Sequence, residues 1–579
     1  SERVAKHCFL LQDNPMVQWR GDEEREGHRE EYLREILRGE GQGGFKTEKC
    51  ASCASVDVEG PTEEDRSARY RCEDCEGGSI ECRACLVQSH RRLPFHRVQV
   101  WNGRFFEKTD LRTAGLRMQL GHTDLKCISP IAGPEDFTVL HTNGIHKLLR
   151  SEWFPATTLF PQTCASFRVL EHFHALTLAG KVSAYEYYRG LTHLTDNTEV
   201  DLPVTRYHSF LRMVQQYRDI KMLKRAGRGH VEDGIATMPS GGLALLCPAC
   251  PRSGVNLPDG WQDTPASEAF LYCPFVAVDA NFRLKALSKS SDAKDPGLHT
   301  GLAYFVEHKA YLEHVAKYVT QKEISSCSGF KTLAHAETKN NKGLRATGVV
   351  MAICARHEMV LPTAAGDLQI GEWYCNVDYV AASAAKNFDD VKSLFWSYDI
   401  ACQWKSRLRE RMAQLPERLQ LRDDMAFKFG VPKLHCKAHK YSCQCQFSMN
   451  LKVGAARTDG EGIERVWSEQ NGSSSSTKEM GPGSRHDTLD DQLGAHNWRK
   501  VVGLGHSLHA KLDLASKQAE RQRVAHEEFT SALPGGDDWA RHWTAVVEAW
   551  ERDDTQTNPY YHEVKCKPFP FGDGFSLLM

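Results

Sequence analysis

A chain of 579 residues exceeds what one hydrophobic core organises, so several domains are expected, and 41% hydrophobic with 26% charged residues makes it globular on average. A formal charge of -2 excludes a uniformly basic nucleic-acid binder, so contacts to nucleic acid would have to come from local basic patches. The sequence shows no apolar run of membrane-spanning length and no signal-peptide pattern, so a soluble, intracellular protein with no membrane partner is expected.

Residues 1–46 contain one helical pattern, Tyr32, Leu33, Ile36 and Leu37, followed by a Gly-rich linker from Gly39 to Gly44. Residues 47–100 carry Cys50 and Cys53, Cys72 and Cys75, Cys82 and Cys85, then His90 and His96. Paired C-x2-C spacing in a large chain points to zinc in a reducing compartment rather than to disulfides. Eight ligands build two tetrahedral Zn2+ sites. Interleaved pairing gives Cys50, Cys53, Cys82 and Cys85 one ion and Cys72, Cys75, His90 and His96 the other; sequential pairing is the alternative.

Residues 101–240 read as mainly helical. Lys221, Lys224, Arg225 and Arg228 fall at i, i+3, i+4 and i+7, which puts four cations on one helix face as DNA phosphate contacts require. A solvated basic face is the competing reading.

Residues 241–505 hold the candidate chemistry. Cys247 and Cys250 read as half of a further metal site, completed by Cys273 or a distant His, or as a packed turn. Phe275–Val278 and Leu394–Tyr398 read as buried strands ending in Asp279 and Asp399, and Asn281–Lys285 is expected to return as the next strand. The long span between the aspartates implies insertions, assigned to Leu312–Gln321 and residues 328–348. His435, Cys436, His439 and Cys443 form a further metal or structural cluster. Glu461 and Glu464 stand where a Gly-punctuated loop enters a helix-like run, 464–471. Two strand-end aspartates followed by a helix-borne glutamate is the order in which an RNase H-like fold presents carboxylates to two divalent ions, Mg2+ or Mn2+, for phosphodiester chemistry. Glu464 is preferred because Ile463 and Trp467 anchor its helix, whereas Gly460 and Gly462 leave Glu461 loose. Acidic residues that only complement a helix N-terminus are the alternative. Residues 506–579 read as helical, and the stripe Trp539, Trp543, Val546, Val547 and Trp550 is expected to be buried.

The pieces CPACPRSGVNLPDGW (247–261), VDANFRLK (278–285), SGFKTLAHAETKNNKGLRATGVVMAICARHEMV (328–360) and YDIACQW (398–404) resemble a Kyakuja-Dileera-Zisupton (KDZ) transposase. The cysteine cluster resembles the zinc domain that accompanies these transposases. The run Glu464-Arg-Val-Trp-Ser resembles the start of the hAT catalytic helix, and Cys436-x2-His439 resembles the hAT C-x2-H motif, whereas KDZ members align through His435 and His439. Trp373 stands where family members carry Arg. The resemblance implies a multidomain α+β / α/β protein: a small N-terminal zinc cluster, a helical region, an RNase H-like catalytic domain with helical insertions, and a helical C-terminus. It further implies a nuclear, homo-oligomeric DDE transposase that acts on double-stranded transposon ends and target DNA with Asp279, Asp399 and Glu464. Two other readings stay open: a transposase-derived DNA- or chromatin-binding zinc protein, and a ubiquitin-ligase-like zinc module.

Overall fold

The computed structural model describes residues 41, 50, 52–53, 67–75, 79–117, 138–147, 154–157, 162–200, 202–228, 231–232, 237–318 and 343–561. The helix expected at Tyr32–Leu37, most of the linker and residues 328–342 of the expected insertion lie outside these. The chain divides into two compact units, Ser1–Val214 and Gln215–Met579.

In the first unit, Tyr70–Cys72 (β1) and Ile80–Glu81 (β2) form a hairpin that leads into the helix Arg83–Ser89 (α1). Val98–Trp101 (β3) and Phe106–Thr109 (β4) complete a sheet of order β2-β1-β3-β4. Cys72, Leu86, Val98, Leu111, Ala114 and Leu116 share a small core, so this module continues past residue 100. A second sheet, β6-β5-β8-β7, is built from Thr138–His141 (β5), Gly144–Lys147 (β6), Phe154–Pro155 (β7) and Thr163–Ala165 (β8). Two helices follow, Phe167–Gly180 (α2) and Ala184–Thr195 (α3), and a third, Tyr207–Arg225 (α4), contains the division between the units at Val214. Ser166 caps α2, and a Ser183/Glu186 capping box starts α3. The stretch read as mainly helical, residues 101–240, therefore contains six of these strands in whole or in part. They are two to four residues long, too short to leave a period in the sequence.

In the second unit the first strand is Phe275–Asn281 (β9). Asn281–Lys285 does not return as a strand: the Asn281 side chain accepts the Arg283 N–H at 2.9 Å and turns the chain. Ala286–Leu287 (β10) pairs instead with Leu344–Ala346 (β11), across the helix His308–Ala316 (α5). The antiparallel partner of β9 is Gly348–Cys354 (β12), which also pairs with Val360–Leu368 (β13). After the wholly buried helix Tyr374–Ala385 (α6), Ser393–Ser397 (β14) joins β9 in parallel. Beyond the short helix Ala401–Trp404 (α7), Ala426–Gly430 (β15) joins β14 in parallel. The sheet order is β13-β12-β9-β14-β15.

Alternation along these strands sorts side chains onto two layers. Val276, Val278, Val350, Ala352, Leu394 and Trp396 pack with α6 and Trp404. Phe275, Ala277, Val349, Met351 and Phe395 face the other layer. After Lys433–Cys436 (α8) and Tyr441–Phe447 (α9), that layer is supplied by Gly462–Gln470 (α10) and the start of the long helix Pro482–Ala532 (α11).

The N-terminal third of α11 is buried and polar. Arg485 is fully buried and donates to Asp367 Oδ1 at 2.5 Å, while His486 Nε2 lies 2.9 Å from Asp367 Oδ2. Asp490 accepts the N–H groups of Tyr304 and Phe305, and Asn497 exchanges two hydrogen bonds with the Val360 backbone. The rest of α11 is largely exposed, and Gly536–Arg552 (α12) follows. The tryptophan stripe is not buried as a whole: Trp550 is, against Tyr560, whereas Trp539 and Trp543 are 49% and 46% exposed.

Arg485→Met leaves the Asp367 carboxylate buried without its closest cation. Chemical denaturation should show a loss of about 3–5 kcal/mol, and the double change Arg485→Met with Asp367→Leu should recover much of it.

Candidate active site and metal centres

Because Asp279 shares the side of β9 that Phe275 and Ala277 use, it faces α10, where the Trp467 indole N–H donates to its Oδ2 at 2.8 Å. Ser397 is registered opposite Ala277, and each aspartate follows its own residue by two. The parallel pairing thus carries Asp279 and Asp399 to the same end of the sheet. Glu464 lies in the first turn of α10, one turn before Trp467, with its side chain exposed. All three expected carboxylates therefore gather at one end of β9.

Electrostatics tie them together. Asp279 is held well above the usual carboxylate range, by burial first and then by the charges of Asp399, Glu372 and Glu464. Burial pushes Asp399 up to about 6, with His435 opposing and Glu464 and Glu461 adding to the rise. His435 Nε2 is 3.3 Å from Asp399 and its Nδ1 is 3.2 Å from Glu461. The hydrogen bond to Glu461 leads in raising His435 to about 9, against desolvation.

Two members of this group were not expected. Glu372 contributes to the charge around Asp279 and accepts the Tyr398 O–H at 2.5 Å. Its only mark in the sequence is an acidic residue just before a helix, overshadowed by Trp373, which is the N-cap of α6. His435, expected among metal-cluster residues, serves the carboxylates instead.

Glu461, expected to be loose between Gly460 and Gly462, is instead held in place. Its side chain is buried and accepts the Leu434 N–H at 2.7 Å. Gly460, at φ +78°, is there for close approach: a Cβ would meet Ser397 Oγ at 2.6 Å.

The donor set fits hard divalent cations: carboxylate oxygens crowded until Asp279 and Asp399 resist ionisation, a state that a bound cation reverses. Among the described residues, the groups whose ligand atoms all close to within 4.8 Å are thiolate- and imidazole-rich, and the acidic set is more open than these.

In the first unit, Cys50, Cys53, Cys82 and Cys85 converge, as do Cys72, Cys75, His90 and His96, which is the interleaved pairing. Cys53 Sγ lies 3.4 and 3.5 Å from the sulfurs of Cys82 and Cys85, and Cys75 Sγ lies 3.4 Å from His90 Nε2 and 3.3 Å from His96 Nδ1. The hairpin and α1 account for the crossing, since β1 ends at Cys72 while α1 begins just after Cys82 and ends just before His90. His90 Nδ1 is 2.9 Å from the Leu86 carbonyl, which leaves Nε2 for a metal.

The remaining candidates regroup. Cys247 and Cys250 meet Cys354 and His357, not Cys273, which lies in the opposite core layer. His439 and Cys443 meet Cys402, while Cys436 is buried in the core. The four cations do not form one open row: α4 ends at Arg225, so Arg228 lies beyond the helix. Arg225 packs on Gly494, Arg228 donates to Thr237 at 3.2 Å, Lys221 lies over the Tyr217 ring and Lys224 is exposed.

Residues 272–497 match the family model described as Kyakuja-Dileera-Zisupton transposase. Residues 111–148 and 146–199 match the CxC2 like cysteine cluster associated with KDZ transposases. The first match contains Asp279, Glu372, Asp399, His435 and Glu464; the second falls after the eight ligands Cys50 to His96. No curated protein and no solved structure matches the chain.

Two outcomes follow from these geometries. Changing Cys50 and Cys53 to Ser, or Cys72 and Cys75 to Ser, should each remove about one zinc per chain in elemental analysis, because each pair serves one tetrahedral ion. The second concerns pH. A carboxylate whose pKa is raised on folding weakens the fold as pH climbs from its ordinary 3.8 to the folded value, so Asp399 carries its full penalty above about 6. That penalty is on the order of 3 kcal/mol. Mg2+ or Mn2+ should therefore raise the melting temperature clearly at about pH 7.5 and much less at about pH 5, where protons compete for the same oxygens.

Proposed function

The chain carries a Kyakuja-Dileera-Zisupton transposase domain over residues 272–497, and from that premise we propose that it is a DDE-type DNA transposase using Asp279, Asp399 and Glu464. The observation that carries this reading is the gathering of the three carboxylates, from two parallel strands and a helix, at one sheet end inside the matched region. The mixed five-stranded sheet with helices on both faces supports an RNase H-like core.

A pair of Mg2+ or Mn2+ ions would supply activation of the attacking water or 3'-hydroxyl and charge stabilisation at the leaving oxygen. The chain's own residues set the frame. Trp467 fixes one oxygen of Asp279, leaving the other to face the cluster. Tyr398 holds Glu372 beside Asp279, so that residue joins the three as a candidate ligand or positioning carboxylate. His435, protonated at neutral pH, spans Asp399 and Glu461 and orients the aspartate. Exposed Glu464 stands at the solvent side, where a DNA strand would approach.

Double-stranded transposon ends and target DNA are the substrates on this reading, and the nucleus is the compartment. Joint cutting of two ends calls for a homo-oligomer, for which exposed Trp539 and Trp543 are candidate contacts. Lys221, Lys224 and Arg228 are candidate phosphate contacts, while Arg225 is turned inward.

Cleavage of DNA bearing the flanking inverted repeats tests the proposal. Asp279→Ala and Glu464→Gln should abolish strand cleavage in both Mg2+ and Mn2+ while leaving DNA binding nearly intact. Glu461→Gln, which acts on the site through His435 and through its charge beside Asp399, should lower activity roughly 10–100-fold but leave it measurable. Wild-type cleavage by Glu464→Gln would sink the triad assignment.

A further inference from the structure

Cys354, Ala355, Arg356 and His357 form a C-x2-H turn between β12 and β13, and a second turn, Cys247 to Cys250, meets it from upstream of the sheet. Cys250 Sγ lies 3.2 Å from Cys354 Sγ, and His357 Nδ1 lies 3.4 and 3.3 Å from the sulfurs of Cys247 and Cys354. All four ligand atoms fall within 4.8 Å of one another, and the three cysteines are buried. Edges of a tetrahedral zinc site with such ligands are about 3.4–3.8 Å, from bond lengths near 2.3 Å for sulfur and 2.0 Å for nitrogen. Thiols buried only as small hydrophobes have no reason to converge on an imidazole. Both turns are also braced: Asn256 donates to the carbonyls of Pro248 and Cys250, and the Cys354 carbonyl accepts the Glu358 N–H at 2.8 Å.

What the turn holds gives the site its significance. Arg356 lies over the Phe275 ring at 4.0 Å, at the start of the strand that carries Asp279. Its guanidinium donates to the Gly454 carbonyl at 2.9 Å. Glu358, at φ +58°, accepts from Arg465 Nε at 2.6 Å and from Lys500 at 2.5 Å. Arg465 is the neighbour of Glu464. Gly462 approaches so closely that a Cβ there would meet Glu358 Cγ at 2.9 Å. The N-terminus of α10 is thus seated directly on the residue that follows His357.

We propose that Cys247, Cys250, Cys354 and His357 hold one structural Zn2+, and that this ion fixes the turn on which the Glu464 helix is seated. The significance of that seat for chemistry rests on the transposase reading, but the ion and the tether do not. They are tested by metal content and by hydrogen exchange rather than by cleavage.

In untagged full-length protein, Cys247→Ser with Cys250→Ser should lower zinc by about one equivalent per chain relative to wild type. His357→Ala should lose the same equivalent and His357→Cys, which restores four ligands, should keep it. Amide exchange in His357→Ala should quicken across residues 354–359 and also across 462–470. Unchanged zinc in the cysteine variant overturns the site; lost zinc with unchanged exchange across 462–470 overturns the tether. If the cysteine variant does not fold, Co2+ decides the matter in a chain with Cys50, Cys53, Cys72, Cys75 and Cys443 changed to Ser. One equivalent with intense tetrahedral d–d bands and thiolate charge transfer supports the site, and their absence overturns it.

Discussion

Crowded negative charge at the end of two parallel strands is the constraint on which the larger unit depends. Asp279 and Asp399 are brought level by the β9–β14 pairing, and each resists ionisation first because it is buried and then because other carboxylates are near. Nothing in a hydrophobic core would gather acids in this way. The fold tolerates the repulsion by surrounding it with fixed donors: the Trp467 indole on Asp279, the His435 ring between Asp399 and Glu461, and the Tyr398 hydroxyl on Glu372. Each donor arises from an element already committed to packing.

Two kinds of donor group are thereby kept apart among the described residues. Sulfur and imidazole groups close tightly, as soft and borderline donors do around zinc, whereas the carboxylates stay spread and solvent-facing at Glu464. The first unit crosses its ligand pairs because a hairpin and one short helix alternate between the two centres. A serial arrangement would have left each centre with a single loop and less shared core.

Much of the site was legible in the sequence, because its residues sit at the ends of strongly apolar strands and at the head of a helix anchored by Ile463 and Trp467. The eight N-terminal candidate ligands were legible through their spacing, but their interleaved grouping is decided only in the fold. What escaped was long-range. Cys354 lies 104 residues from Cys250, and although Cys354 and His357 have the C-x2-H spacing of a ligand pair, nothing local joins that pair to Cys247 and Cys250. Glu372 is one acid among many until the Asp279 strand is set beside it. Gly460 and Gly462 read as freedom but act as clearance, a distinction that appears only when Ser397 and Glu358 are in place. The short strands β4 to β8 were missed because they lack the length to show a period, and of the tryptophan stripe Trp550 is buried within the chain while Trp539 and Trp543 are exposed.

The parallel pairing of β9 with β14 also sets an order of events. Parallel neighbours distant in sequence carry the larger loop-closure cost, so β9 and β14 are expected to pair after the local hairpin of β12 and β13 has formed. On a ribosome, Asp399 and Glu464 emerge well after Asp279, so a nascent chain holds one aspartate, with its hairpin, and no cluster. Any capacity to bind cations there arrives only with the complete sheet. A half-made chain thus lacks the gathered carboxylates, and the same non-local closure brings them together only when the sheet is complete.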